Sequence, residues 1–104
     1  MDDFILKGIL FSIYGALLTK EQKKVYEYHI LEDLSFSEIG EELSISRQAA
    51  QDYFKRADKK IKEYDDKLLL SKKFIDIQKY ATKISKITKQ KEIKSLSEKI
   101  IDLT

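Results

Sequence analysis

The chain of 104 residues is long enough for one domain, or for a small domain with an appendage. Hydrophobic residues make up 42% of it and charged residues 37%, which permits a modest core and argues against a disordered chain. The absence of cysteine excludes disulfides and cysteine-rich zinc sites, and the net charge of +2 is too small to indicate a class of partner. With no proline and only 3 glycines, the composition favours long helices.

An apolar run, FILKGILFSIYGALL, extends from Phe4 to Leu18. Lys7 interrupts it, and the run is shorter than the roughly 20 apolar residues that a membrane span needs. Asp2 and Asp3 stand where a signal peptide would carry basic residues. The run therefore predicts a buried amphipathic helix of a cytoplasmic protein. The positions expected on its apolar face are Phe4, Leu10, Phe11, Tyr14, Leu17 and Leu18.

Capping residues predict where three further helices begin. Thr19 with Gln22, and Ser35 with Glu38, have the spacing of capping boxes. They predict one helix ending near Glu32 and a short one ending at Leu43, while Ser46 predicts a longer helix to about Leu69. The expected buried positions are Val25, Tyr28, His29 and either Ile30 or Leu31 in the first, and Ala50, Tyr53, Phe54, Ala57, Ile61, Tyr64 and Leu68 in the longest.

Two more helices are predicted beyond Leu69, and no strand pattern competes anywhere, so the fold class is all-α. Apolar residues step by three or four, close to a heptad seam, at Leu70, Phe74, Ile77, Ala81, Ile84 and Ile87, and then in a last helix at Ile93, Leu96, Ile100 and Leu103. We therefore divide the chain into a domain of residues 1–69 and a helical extension of residues 70–104. A hairpin alone is a thin core, so the extension predicts a homodimer. The alternative is a monomer in which the last helices fold back on the first.

The segment from Ser35 to Phe54 has the pattern of a helix-turn-helix. Gly40 supplies the small residue where the two helices cross, and Ser46 can cap the second helix. Ser44 occupies the turn position that usually carries glycine. The apolar residues expected to fill the angle between the helices are Ile39, Leu43, Ile45, Ala50 and Tyr53.

The segment LSFSEIGEELSISR resembles region four of bacterial sigma factors, where a similar helix pair reads promoter DNA. More widely, Phe11 to Leu68 resembles the YlxM family of small helix-turn-helix proteins. The resemblance implies a sigma region-four-like or winged-helix-like bundle that binds DNA and has no enzymatic activity. YlxM genes commonly neighbour those of the signal recognition particle, so it also implies a role in regulating or assisting that pathway. No cofactor and no metal are implied.

In a DNA-bound helix-turn-helix, the start of the second helix faces base edges in the major groove. Here Arg47 would bind guanine, while Gln48 or Gln51 would bind adenine. The residues expected to form this surface or to meet phosphates are Ser46, Arg47, Gln48, Gln51, Asp52, Lys55, Arg56, Lys59 and Lys60. Asp52 and the acids Glu38, Glu41 and Glu42 oppose this interpretation. They leave open an adaptor that binds a protein or RNA component of the signal recognition particle, or a purely structural helical scaffold.

Other candidate sites carry less weight. His29, the only histidine, is expected to be a satisfied core or boundary residue rather than a metal ligand. The adjacent acids Glu41–Glu42 and Asp65–Asp66 point to different faces of a helix, so we expect them to be solvated rather than to act as acid/base pairs.

Overall fold

Helices dominate the computed structural model, which describes residues 2–104. Their bounds are α1 Asp3–Tyr14, a 3-10 turn at Gly15–Leu17, α2 Lys20–Ile30, α3 Phe36–Leu43, α4 Arg47–Leu68, α5 Leu70–Ile87 and α6 Lys91–Asp102. No strand occurs among the described residues, so the predicted all-α class is confirmed. The winged-helix-like expectation is wrong over this range, because a wing is a β-hairpin.

Both predicted capping boxes are present and fix where α2 and α3 begin. The Thr19 Oγ1 accepts from the Gln22 N–H, and the Gln22 Oε1 accepts from the Thr19 N–H, each over 3.2 Å. Ser35 and Glu38 exchange the same pair of bonds over 3.1 and 3.0 Å. Each box satisfies two N–H groups that the first turn of a helix leaves without an intrahelical partner.

The first helix ends earlier than predicted. After Tyr14 the chain tightens into the 3-10 turn, and Leu18 takes an extended conformation before Thr19 caps α2. A 3-10 turn has about three residues per turn instead of 3.6, so it rotates later side chains away from the α-helical face. Leu10, Tyr14 and Leu18 are buried as expected, but Leu17 is exposed, and so is Phe4 in the first turn.

Two details of α2 also differ from the prediction. The helix ends at Ile30 rather than near Glu32; of the two alternatives for its last buried position, Ile30 is buried and Leu31 is exposed. Asp33, just beyond it, has a left-handed φ of 56°, which reverses the chain toward α3. Tyr26, which was not expected in the core, is completely buried, whereas Tyr28 and His29 are half-buried.

The chain forms two compact units, one ending at Leu68 and the other spanning Leu69–Thr104. In the first, Val25, Ile39 and Ala50 are fully buried at the centre of a cluster from α2, α3 and α4, while α1 packs on α2 and α4. Half-buried side chains complete that cluster: Tyr28, Leu34, Phe36, Leu43, Ile45, Tyr53 and Phe54. Leu68, predicted to be buried, is exposed at the end of α4.

The second unit is a hairpin of α5 and α6. Its buried residues are small: Ser71 and Ala81 on α5 and Ser97 on α6. Leu69, with a φ of 55°, precedes α5 and interrupts the helical conformation after Leu68. Across residues 2–104, none of the helices combines the length and apolar character needed to cross a bilayer.

Candidate nucleic-acid interface

The crossing of α3 and α4 is set by Gly40. A Cβ at this position would lie 2.7 Å from the carbonyl oxygen of Ile45 and 3.3 Å from the amide nitrogen of Arg47. Both are backbone atoms, so they cannot be moved aside as a flexible side chain can. The Ile45 N–H also donates to the Gly40 carbonyl over 2.9 Å, which ties the turn to the end of α3. The sequence register that placed Gly40 at the crossing is therefore correct.

The turn itself depends on Ser44. It has φ 57° and ψ 42°, the left-handed conformation that glycine adopts most easily. Its N–H lies within reach of the carbonyls of Gly40 and Glu41, as expected at the end of a helix. The chain therefore forms the tight turn without the glycine that is usual there.

An aromatic cluster packs α4 against α2 and α3. The ring of Phe54 packs on Tyr26 at a centroid distance of 5.1 Å and on His29 at 4.7 Å. His29 also stacks on Phe36 at 4.4 Å, and its Nδ1 lies 2.8 Å from the Leu34 carbonyl oxygen. These contacts agree with the prediction that His29 is a satisfied boundary residue. Within the described chain, no cluster of three or more His, Cys, Asp or Glu residues is placed to hold a metal ion.

The outer face of α4 brings the sequence-predicted site residues together. Those that are exposed are Ser46, Arg47, Gln48, Asp52, Lys55, Arg56 and Lys59, whereas Gln51 and Lys60 are half-buried. Opposite this face, Ala50, Ala57 and Ile61 are fully buried. Because burial on one side fixes the rotation of the helix, the candidate side chains point away from the core as a set.

Three side chains on this face already have intramolecular partners. The Oγ of Ser46 accepts from the Ala49 N–H over 2.9 Å, so Ser46 caps α4 and retains its hydroxyl hydrogen for another acceptor. The Nε2 of Gln48 donates to the Oδ1 of Asp52 over 3.1 Å. Beside Asp52, a shallow cavity of about 220 Å³ is lined by Ala49, Asp52, Tyr53 and Arg56.

A charged cluster that sequence reasoning missed anchors α1 to α4. The Asp58 carboxylate accepts from Lys7 over 2.8 Å and from Lys62 over 2.9 Å, and the hydroxyl of buried Tyr26 lies 3.5 Å away. Burial alone would raise the pKa of Asp58, but the hydrogen bonds and charges of the two lysines outweigh it and lower that pKa. Burial and the Asp58 charge raise the pKa of Tyr26. The sequence did contain a signal for this cluster, because Lys7 lies inside an apolar run and a lysine there needs a buried partner.

A second contact between the same helices corrects an expectation. The Tyr14 hydroxyl donates to the Oδ1 of Asp65 over 2.7 Å, and the rings of Tyr14 and Tyr64 stack at 6.1 Å. Asp65 is half-buried, so it is not simply solvated as we expected for the Asp65–Asp66 pair. Asp66 and the pair Glu41–Glu42 are exposed.

Charge is distributed unevenly between the two units. Up to Leu68 there are 11 basic and 14 acidic residues, a net of −3, and from Leu69 onward there are 9 basic and 4 acidic residues, a net of +5. Glu38, Glu41 and Glu42 are exposed on α3. The Ser35 N–H and hydroxyl lower the pKa of Glu38, because its carboxylate closes the capping box.

The fold of the first unit and the outward face of α4 define a helix-turn-helix protein. A family model described as "Putative helix-turn-helix protein, YlxM / p13 like" matches residues 2–102. The chain belongs to this family, UPF0122, so the predicted resemblance is confirmed.

Curated relatives agree with the family assignment. A UPF0122 protein of Caldanaerobacter subterraneus subsp. tengcongensis is 43% identical over 83 residues, which cover 80% of this chain and 71% of the relative. One from Thermoanaerobacter sp. is 41% identical over 85 residues, covering 82% and 73%. One from Bacillus thuringiensis is 40% identical over 83 residues, covering 80% and 76%. No solved structure matches the chain.

Proposed function

We propose that the protein is a cytoplasmic DNA-binding regulator that reads duplex DNA with the N-terminal part of α4. The observation that carries the proposal is the outward face of this helix, on which exposed Gln48 and Lys55 stand opposite the buried Ala50 and Ala57 and exposed Arg47 lies at the edge. The close approach at Gly40 fixes the angle between α3 and α4, which a rigid helix needs in order to enter a major groove.

Each side chain has a role suited to its chemistry. Arg47 binds a guanine edge through two N–H groups, and Gln48 or Gln51 binds adenine. Lys55, Arg56 and Lys59 contact phosphates, and Ser46 donates its hydroxyl hydrogen to one. Asp52 orients Gln48 by accepting from its amide, and its charge weakens binding to any sequence.

A second candidate function is that of an adaptor for the signal recognition particle. The net charge of −3 on the helix-turn-helix unit favours it, because a strong DNA-binding unit neutralises several phosphates. In that case the exposed acids of α3 or the basic α5–α6 hairpin would contact a protein or RNA component of the particle. The family resemblance supplies the link to that pathway.

We further infer that the protein acts as a homodimer joined after Leu69. Two copies would carry two α4 faces to two half-sites about 34–36 Å apart, the spacing of one turn of duplex DNA. The extension of residues 70–104 would then serve oligomerisation, and the helix-turn-helix unit would serve recognition.

Fluorescence anisotropy with labelled duplex DNA of mixed sequence tests the proposal. Binding should weaken steeply as salt rises, and Lys55→Ala should lower both the affinity and the slope of log K against log salt. The matched control is Lys23→Ala, an exposed lysine on α2 that lies outside the proposed face. Binding to the particle's protein or RNA, with none to DNA at low salt, would overturn the DNA proposal in favour of the adaptor.

A further inference from the structure

The α5–α6 hairpin leaves a set of large apolar side chains exposed on one side. On α5 the outward residues are Ile77, Tyr80, Ile84 and Ile87, and on α6 and its C-cap they are Ile93, Leu96, Ile100 and Leu103. Each keeps between 39% and 84% of its surface accessible, whereas Ala81 and Ser97 are only 2% exposed. These eight large apolar side chains therefore point outward, whereas the buried residues Ser71, Ala81 and Ser97 are small and Leu70, Phe74, Ile75 and Ile101 are half-buried.

The two helices present these residues with the same spacing. Along each helix the outward apolar positions follow at three, four and three residues, which is the a/d pattern of a helical bundle. At 3.6 residues per turn, the outward residues of α5 lie roughly 40–120° around the helix axis from Ala81. Those of α6 lie at the same angles from Ser97, and in the same rotational sense. Because the helices of a hairpin run antiparallel, equal rotation brings both sets to the same side. The eight side chains thus form one continuous surface, named here the apolar face.

This geometry differs from the seam that the sequence predicted. Phe74 and Ala81 were placed in one stripe with Ile77 and Ile84, but Ala81 is buried in the contact with α6, while Ile77 and Ile84 are exposed. Tyr80, absent from the predicted seam, is 60% exposed and belongs to the apolar face. A seven-residue pattern marks an apolar stripe without saying which part of it faces the neighbouring helix of the same chain.

We propose that a second copy of the chain covers the apolar face, so that two hairpins form a four-helix bundle. Four-helix bundles bury a/d-type positions from two such hairpins around one core. The apolar face consists of eight large side chains per copy that keep 39–84% of their surface accessible, and an interface of standard size buries roughly 800 Å² per partner. A two-fold axis would place like surfaces in contact, and an apolar face without charges at its centre is self-complementary.

The charges of the hairpin are consistent with this occupant. Lys79 and Lys86 line the side of α5 away from α6, along a shallow groove, at least roughly 80° of rotation from the apolar face, whereas Lys83 lies only about 40° from Ile87 at its edge. Two copies can therefore pair with Lys79 and Lys86 outside the contact and Lys83 at its rim. A hairpin whose buried residues are Ser71, Ala81 and Ser97 has very little core of its own, and pairing would supply one.

Light scattering of the full chain without nucleic acid tests the proposal independently of DNA binding. The wild type should have twice the chain mass of 12.2 kDa at micromolar concentration. The variant carrying Ile84→Glu and Ile100→Glu should have the mass of one chain. The matched control carries Lys79→Glu and Lys94→Glu on the same two helices, off the apolar face, and should keep the doubled mass.

Circular dichroism shows whether the first variant also loses helix. In that case Ile84→Ala with Ile100→Ala, which preserves helix propensity, should weaken pairing at least tenfold in a dilution series. A wild-type mass of 12.2 kDa overturns the proposal, as does a double-glutamate variant that stays dimeric. Flotation of a monomeric wild type with anionic phospholipid vesicles, lost on Ile84→Glu, would assign the face to a membrane surface and also overturn it.

Discussion

The amide of Gln48 donates to the carboxylate of Asp52 one turn further along α4, over 3.1 Å. Gln48 is suited to binding adenine, whereas the negative charge of Asp52 repels phosphate. We expect Asp52→Asn to tighten binding to duplex DNA by about threefold to tenfold at low salt, because a negative charge leaves the face. Asparagine can still accept from Gln48, so the orientation of the amide is preserved. Anisotropy titration measures the change.

The control for this effect is Asp66→Asn. Asp66 is exposed near the end of the same helix, so the change in net charge is the same but the site is remote from the proposed face. We expect less than a twofold change. Equal tightening by both variants would show that only net charge matters and would contradict a role for this face.

Alanine substitutions at Gly40 and Gly8 form a matched pair that tests the crossing of α3 and α4. Gly40→Ala should lower the free energy of unfolding by about 1–3 kcal/mol, since its Cβ would meet the Ile45 carbonyl. At Gly8 the nearest atom is a Leu31 side-chain carbon at 3.8 Å, which leaves room for a methyl group. Gly8→Ala should be neutral or stabilising by up to about 1 kcal/mol, since alanine favours a helix. Urea denaturation measures the free energy of unfolding of both variants. Equal values would contradict the close approach of α3 and α4 at Gly40.

The left-handed Ser44 predicts a stabilising substitution. Ser44→Gly should raise the free energy of unfolding by about 0.5–1 kcal/mol, because the side chain no longer opposes the positive φ. Ser37→Gly, at an exposed position inside α3, is the comparison and should be mildly destabilising. A lower melting temperature for Ser44→Gly would contradict the expectation.

The cluster around Asp58 predicts a pH dependence. Its pKa is lower in the folded chain than the ordinary value of 3.8, so its contribution is complete above that value and is lost as pH falls through the folded pKa. Asp58→Asn should therefore cost about 1–3 kcal/mol at neutral pH, and the difference from wild type should shrink in acid. Denaturation at several pH values measures both. A difference that stays constant down to about pH 2 would mean that the ion pairs with Lys7 and Lys62 contribute little.

Short-range signals predicted much of the fold correctly. Thr19, Ser35 and Ser46 mark helix starts because a cap bonds to N–H groups only two or three residues away. Gly40 could be placed because the helix-turn-helix pattern fixes its register. The outward set on α4 followed from the spacing of Ala50, Ala57 and Ile61.

Long-range contacts explain what the sequence did not reveal. Tyr26 is buried because Phe11 and Phe54 stack on its ring, and the carboxylate of Asp58, 32 residues away, lies close to its hydroxyl. Leu17 is exposed because the chain changes winding after Tyr14. Tyr80 is exposed because its neighbour Ala81 is the residue that α5 buries at this point. Periodicity within one helix cannot identify the neighbour that covers each side.

The central claim is that α4 binds DNA with the face from Ser46 to Lys59, and NMR mapping with isotope-labelled protein tests it most directly. On addition of a duplex, the largest amide shifts should fall between residues 46 and 56, with smaller shifts at α1 and in the α5–α6 hairpin. They should be lost in Arg47→Ala with Lys55→Ala, while the spectrum of the free variant remains folded. Shifts confined to the hairpin, or none at low salt, would contradict the claim.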